Sequence, residues 1–173
     1  MNGKDGVRIS AILALGLSGM AMGQEFDTRI AMSRQGPATY YVPAAVGGLD
    51  PAPFLVDTGA GLTTINEVTL EALHARNAAT FVRELRGRLA NGDILSVPVY
   101  RLSGLAIGER CRIGELEAAV FPGRTRQILG LNALRAAGPF IFSFEPPELV
   151  LSHCGGERVA AGAPEGTPGR PGS

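Results

Sequence analysis

Three apolar residues, Phe54-Leu55-Val56, run directly into Asp57-Thr58-Gly59-Ala60, and this junction restricts the folds open to the chain more than any other stretch. A short apolar run closed by turn residues has the signature of a buried β-strand. Such a strand delivers a carboxylate, Asp57, to its own end. Gly59 and Gly61 allow a sharp turn there and the close approach of other backbone or a ligand. Thr58 offers a hydroxyl to nearby backbone or to a neighbouring subunit. Asp and Gly are also ordinary turn residues, so the triplet by itself does not separate a catalytic loop from a surface turn. Its flanks carry the discrimination.

Those flanks read as β-structure. Phe26, Thr28, Ile30 and Met32 alternate with polar or small residues, and Tyr40-Tyr41-Val42 follows a Gly36-Pro37 break. Residues 46–51, with two glycines and Asp50-Pro51, form a turn into the Phe54 strand. A strand fragment at 63–65 leads to Asn66, which caps a helix with Glu67 in its first turn and His74 and Arg76 at its end. Two β-compatible arms, 82–89 and 94–100, flank Ala90-Asn91-Gly92-Asp93. Asn-Gly between strands is a strong hairpin signal, because a type I′ turn needs positive φ at both central positions. This hairpin is either a plain surface feature or a flap that closes over a substrate lying against Asp57. Residues 102–120 give two more strands around Gly108-Glu109-Arg110. Gln127-Ile128-Leu129-Gly130 then leads into a short helix at 132–136, and 140–144 with 149–151 make a last hairpin. With 24 glycines and 12 prolines in 173 residues, turns outnumber long helices, so the fold class is all-β with one or two short helices.

The organisation is one domain at residues 24–154 between two different ends. Lys4 and Arg8 precede an apolar stretch at 9–22, and Ala21-Met22-Gly23 offers small residues for cleavage. That stretch falls short of the ~20 residues a membrane span needs. Residues 1–23 therefore read as a signal peptide that places the protein in the periplasm or outside the cell, the alternative being an uncleaved anchor. Residues 155–173 have the Gly, Pro and charge content of a disordered tail. Zero formal net charge and the lack of a long basic run argue against nucleic-acid or membrane-surface binding. Cys111 and Cys154 either pair, pinning the C-terminal strand to an upstream hairpin, or stand as two unrelated thiols. His153 beside Cys154 does not make a metal site, which wants four ligands in paired spacings. His74 is a helix-end residue.

The order of Phe54-Leu55-Val56-Asp57-Thr58-Gly59-Ala60, Ala90-Asn91-Gly92, Ile128-Leu129-Gly130 and a closing hairpin resembles the retroviral-type, or retropepsin-like, aspartic proteases, especially their bacterial branch. The resemblance spans residues 38–152. It implies a closed β-barrel equal to half of an acid protease, with Asp57 as the catalytic acid, Thr58 bonding across a dimer axis and Gly59 shaping the loop. Ala60, the flap tip Asn91-Gly92, and Ile128-Leu129-Gly130 beside the loop would line the substrate site. Only one Asp-Thr-Gly is present; Asp27-Thr28-Arg29 lacks the glycine and reads as ordinary strand. The resemblance therefore implies a homodimer, sealed by segment 26–32 or by the final hairpin, acting on peptide or protein substrates without metal or cofactor. Two other readings compete: a peptide-binding module on the same fold that does not cleave, and a structural β-domain with a chance Asp-Thr-Gly.

Overall fold

Period-two alternation and frequent turn residues produce strands through most of the computed structural model, which describes residues 26–88 and 94–154. In chain order these are β1 (Thr28–Ala31), β2 (Ser33–Gln35), β3 (Thr39–Val46), β4 (Ala52–Val56) and β5 (Thr63–Asn66), then helix α1 (Glu67–His74). There follow β6 (Ala79–Arg88), β7 (Ile94–Leu102), β8 (Leu105–Ile107), β9 (Cys111–Ile113), β10 (Leu116–Phe121) and β11 (Gln127–Leu129). Helix α2 (Leu131–Ala137) and the hairpin β12 (Phe140–Phe144) and β13 (Pro147–Leu151) complete the described chain.

The all-β class with two short helices is as the sequence indicated. Asn66 caps α1, its side-chain oxygen accepting from the Thr69 N–H at 2.9 Å, which satisfies one of the helix's orphan donors. Residues 102–120 differ from expectation by holding three short strands in place of two. Gly108 at φ +59° turns β8 back on β9, and the break at Gly114-Glu115 separates β9 from β10. A two-residue break is too short a signal to separate strands by composition.

Two sheets form. The larger runs β6-β7-β10-β5-β11-β4-β3-β8-β9, with β2 paired to β3. Among the described residues the barrel closure implied by the resemblance is not one of its pairings. Within it β11 lies parallel to β4, Leu129 opposite Val56, and antiparallel to β5, with Ile128 opposite Thr64. The strand that ends at Asp57 is thereby locked against the Ile-Leu-Gly segment. The smaller sheet runs β1-β13-β12. Its Leu149 and Leu151 pack into the main core with Val42, Phe54, Ile65 and Leu129. Burying each such side chain contributes roughly 1.5–3 kcal/mol. A second, smaller cluster of Val97, Val99 and Ala119 is flanked by Leu62, just after the acid loop.

Cys111 and Cys154 are joined as a disulfide, with Cα atoms 4.4 Å apart and a sequence separation of 43. The bridge ties the start of β9 to the chain just beyond β13, resolving the alternative that sequence left open. In the chain-entropy model a loop of this length restricts the unfolded state by about 4 kcal/mol. Replacing both cysteines with serine is expected to lower unfolding free energy by about 3–4 kcal/mol, read from urea denaturation under oxidising conditions. An unchanged midpoint would contradict the assignment.

Candidate active site

The acid loop is held by its own backbone and by the segment that follows β11. At the end of β4 the Asp57 N–H donates to the Leu129 carbonyl at 3.2 Å, continuing the parallel pairing by one residue. The Gly59 N–H donates to Asp57 Oδ1 at 2.8 Å, and the Ala60 N–H donates to the Asp57 carbonyl at 3.3 Å. The carboxylate is thus half-buried with one oxygen anchored, while Thr58 and Gly59 are exposed. Neither Gly59 nor Gly61 has a left-handed backbone. Gly59 is needed for a different reason: a Cβ there would lie 3.1 Å from Asp57 Oδ1, tight enough to disturb the bond that orients the acid.

The far side of the loop is fastened to α2. The Leu131 N–H donates to the Ala60 carbonyl at 2.8 Å and the Asn132 N–H to the Gly61 carbonyl at 3.2 Å. Asn132 then uses both ends of its side chain. Its Oδ1 accepts from the Thr63 N–H at 2.7 Å and the Thr63 hydroxyl at 2.9 Å, and its Nδ2 donates to the Glu117 carbonyl at 2.7 Å. The Thr63 hydroxyl accepts in turn from the Gly130 N–H at 3.4 Å. Gly130 is buried beneath the Leu62–Thr63 backbone, where a Cβ would stand 2.7 Å from the Thr63 nitrogen and closer still to the Leu62 carbonyl group.

These placements sort the residues singled out from sequence. Asp57, Thr58, Gly59 and Ala60 form one loop, and Ile128, Leu129 and Gly130 lie beside it. Leu129 is fully buried in the main core and Gly130 is buried under the loop. Their observed contacts are with that loop and the core, so they support the acid; the substrate contact expected of them is corrected to a supporting role. Ile128 is half-buried. Asn91 and Gly92, the expected flap tip, lie outside the described residues; the arms leading to it, β6 and β7, pair along their length with a bulge between Phe81 and Arg83. Among the described residues no second carboxylate joins the loop: Asp50 lies at the other end of β4, and Glu67 accepts from the Gly123 N–H at 2.7 Å.

Sequence reading missed Asn132 and Thr63. A carboxamide two residues past the Ile-Leu-Gly run was the one local sign, and only the pairing of positions 69 apart gives it meaning. Truncation in Asn132→Ala leaves the Thr63 N–H and the Glu117 carbonyl without their partner. A loss of about 2–3 kcal/mol is expected on the cost of unsatisfied buried groups, measured by chemical denaturation.

A strand-borne Asp-Thr-Gly loop braced by an apolar-apolar-Gly segment defines a class of acid-protease-like sites. The aspartyl protease family model matches residues 42–133, more than half of the chain, and the chain belongs to that family. The fold is similar to the crystal structure of a retropepsin-like aspartic protease from Rickettsia conorii, at 20% identity and a TM-score of 0.52, covering 72% of this chain and 90% of that one. No curated protein sequence matches the chain.

Proposed function

We propose that the protein is an aspartic endopeptidase that hydrolyses peptide bonds through a water held between Asp57 and Asp57 of a second copy. The observation that carries this is the isolation of Asp57: one anchored, half-buried carboxylate on an exposed loop tip, with no second acid beside it among the described residues. Acid-assisted peptide hydrolysis needs two carboxyls that share one proton. A two-fold axis passing beside the loop supplies the second by symmetry. On this reading Thr58, exposed at the tip, bonds across that axis.

The steps then balance. The ionised carboxylate takes a proton from the water, whose oxygen adds to the scissile carbonyl carbon. The protonated carboxyl gives its proton to the carbonyl oxygen, forming a gem-diol. The carboxyl that took the water's proton passes it to the nitrogen, the C–N bond breaks, and one gem-diol hydroxyl gives its proton to the other carboxylate, which releases the two peptides and restores the single shared proton. Substrates are extended segments of peptide or protein, gripped through backbone between the β6–β7 hairpin and the loop. We place the protein in the periplasm or outside the cell, exported through residues 1–23, and the Cys111–Cys154 bridge supports an oxidising compartment.

Mixing tests the shared site. When wild type and Asp57→Asn are combined in equal amounts and allowed to re-associate, activity on a denatured protein should settle at about one quarter of the all-wild-type rate, because only wild-type pairs hold both acids. A rate of one half would mean that each chain works alone, and the two-acid reading would fall. If wild type is folded and dimeric yet cleaves nothing between pH 3 and 7, binding without cleavage becomes the better account.

A further inference from the structure

We infer that Arg126 makes the site selective for substrates with an acidic side chain within about four residues of the scissile bond; this rests on the endopeptidase reading and names its substrate class. Arg126 lies just before β11 and is exposed. Among the described residues its guanidinium has neither an ion-pair partner nor a hydrogen bond.

Arg126 shares a face of the sheet with the acid. In β4, Phe54 is fully buried in the main core and Val56 packs against it, while Leu55 between them belongs to neither apolar cluster. Alternation therefore turns Leu55 and Asp57 to the opposite face. Register carries that face across the sheet. Val99 is opposite Ala119, Ala119 opposite Thr64, Thr64 opposite Ile128, Ile128 opposite Leu55, and Leu55 opposite Tyr41. Val99 and Ala119 belong to the second apolar cluster, so this row is a floor separate from the main core and beside the acid loop.

The β11 strand alternates in the same way. Gln127 and Leu129 are buried, and Gln127 Oε1 accepts from the Thr69 hydroxyl of α1 at 3.2 Å, on the core side. Ile128 faces the floor, and Arg126, on the other side of Gln127, falls on that face too. The turn that carries it is fixed at two points. The Thr125 carbonyl accepts from Asn66 Nδ2 at 2.9 Å, and the Gly123 N–H donates to Glu67 at 2.7 Å.

Gln127 is the register partner of Phe54, which sets Arg126 level with Pro53. From that level to Asp57 is roughly 13 Å at the usual strand rise, and the long arginine side chain shortens the reach. An extended peptide has a similar rise, so a carboxylate up to about four positions from the bond being cut meets the guanidinium. The fork of an arginine matches a carboxylate with two parallel hydrogen bonds. On the same face Glu117 is already paired with Arg83, the register partner of Val99, which leaves the charge of Arg126 uncompensated.

The test uses protein expressed from the full-length sequence and two fluorescent pools of short random peptides. The pools are alike except that one contains Asp and Glu where the other contains Asn and Gln. At about pH 6 the acidic side chains are ionised. Cleavage is measured for wild type, Arg126→Ala, Arg126→Glu and, as a control, Arg110→Ala in the exposed 108–110 turn, with cut sites mapped by mass spectrometry. Binding is measured by fluorescence anisotropy on the same set carrying Asp57→Asn. Wild type and Arg110→Ala are expected to cleave the acidic pool about tenfold faster, with Asp or Glu enriched at one fixed position near the cut. Arg126→Ala should remove that preference while the neutral-pool rate stays, and Arg126→Glu should disfavour the acidic pool. Equal rates on both pools, or a preference that survives Arg126→Ala, overturns the assignment and leaves the endopeptidase reading intact. If wild type is folded and cleaves neither pool, the endopeptidase reading falls and binding decides the role of Arg126. Tighter binding of the acidic pool that Arg126→Ala abolishes supports it, and equal binding of the two pools overturns it.

Discussion

Replacing Asp57 with Asn is expected to remove the proposed cleavage of a denatured protein substrate, a loss of about 10³-fold or more on the usual contribution of acid–base catalysis, while the folded state is kept. The substitution is close to isosteric, and the amide oxygen still accepts the 2.8 Å bond from the Gly59 N–H. Only the ability to hold and pass a proton is lost. Rate measured for wild type beside the variant checks this expectation. Equal rates for the two proteins would assign the cleavage to another site or another protein.

The second large effect is expected at a residue with no side chain. In Gly130→Ala the new methyl meets the Leu62 carbonyl group and the Thr63 nitrogen, which are backbone and cannot swing aside. Overpacking costs about 1–3 kcal/mol where side chains give way, so about 3 kcal/mol or more is expected here. Relief comes by shifting either β11 or the Leu62–Thr63 backbone, and both are bonded to the acid loop through Leu129 and Asn132. A displacement of about 1 Å at a reacting group costs on the order of 100-fold in rate. Activity should therefore fall further than the stability loss alone explains, as seen by comparing kcat with the denaturation midpoint. At Gly61, where a Cβ meets nothing within 4 Å, the same change should be mild. If Gly61→Ala and Gly130→Ala behave alike, the packing argument is wrong.

Much of the fold was legible in the chain because its signals are local. Alternation at 26–32, the Asn66 cap and the Phe-Leu-Val run into Asp57 each express a rule that acts over a few residues. Asp57, Thr58 and Gly59 could be named for the same reason. The function assigned to Gly59 could not: a turn residue and a residue clearing space for a carboxylate oxygen look identical in sequence. Leu129 was read as a substrate contact because an apolar residue near the site and an apolar residue beneath it have the same composition.

The amino-acid sequence by itself determined the strand-rich class, the helix starts and the position of the one acid loop, since propensity, capping and periodicity need only near neighbours. Tertiary structure alone decided which segments meet. It brought Asn132 to Thr63 across 69 positions and joined Cys111 to Cys154 across 43. It also enclosed β13 between β1 and β12. Such contacts depend on the path of the whole chain through space, and no local rule encodes that path.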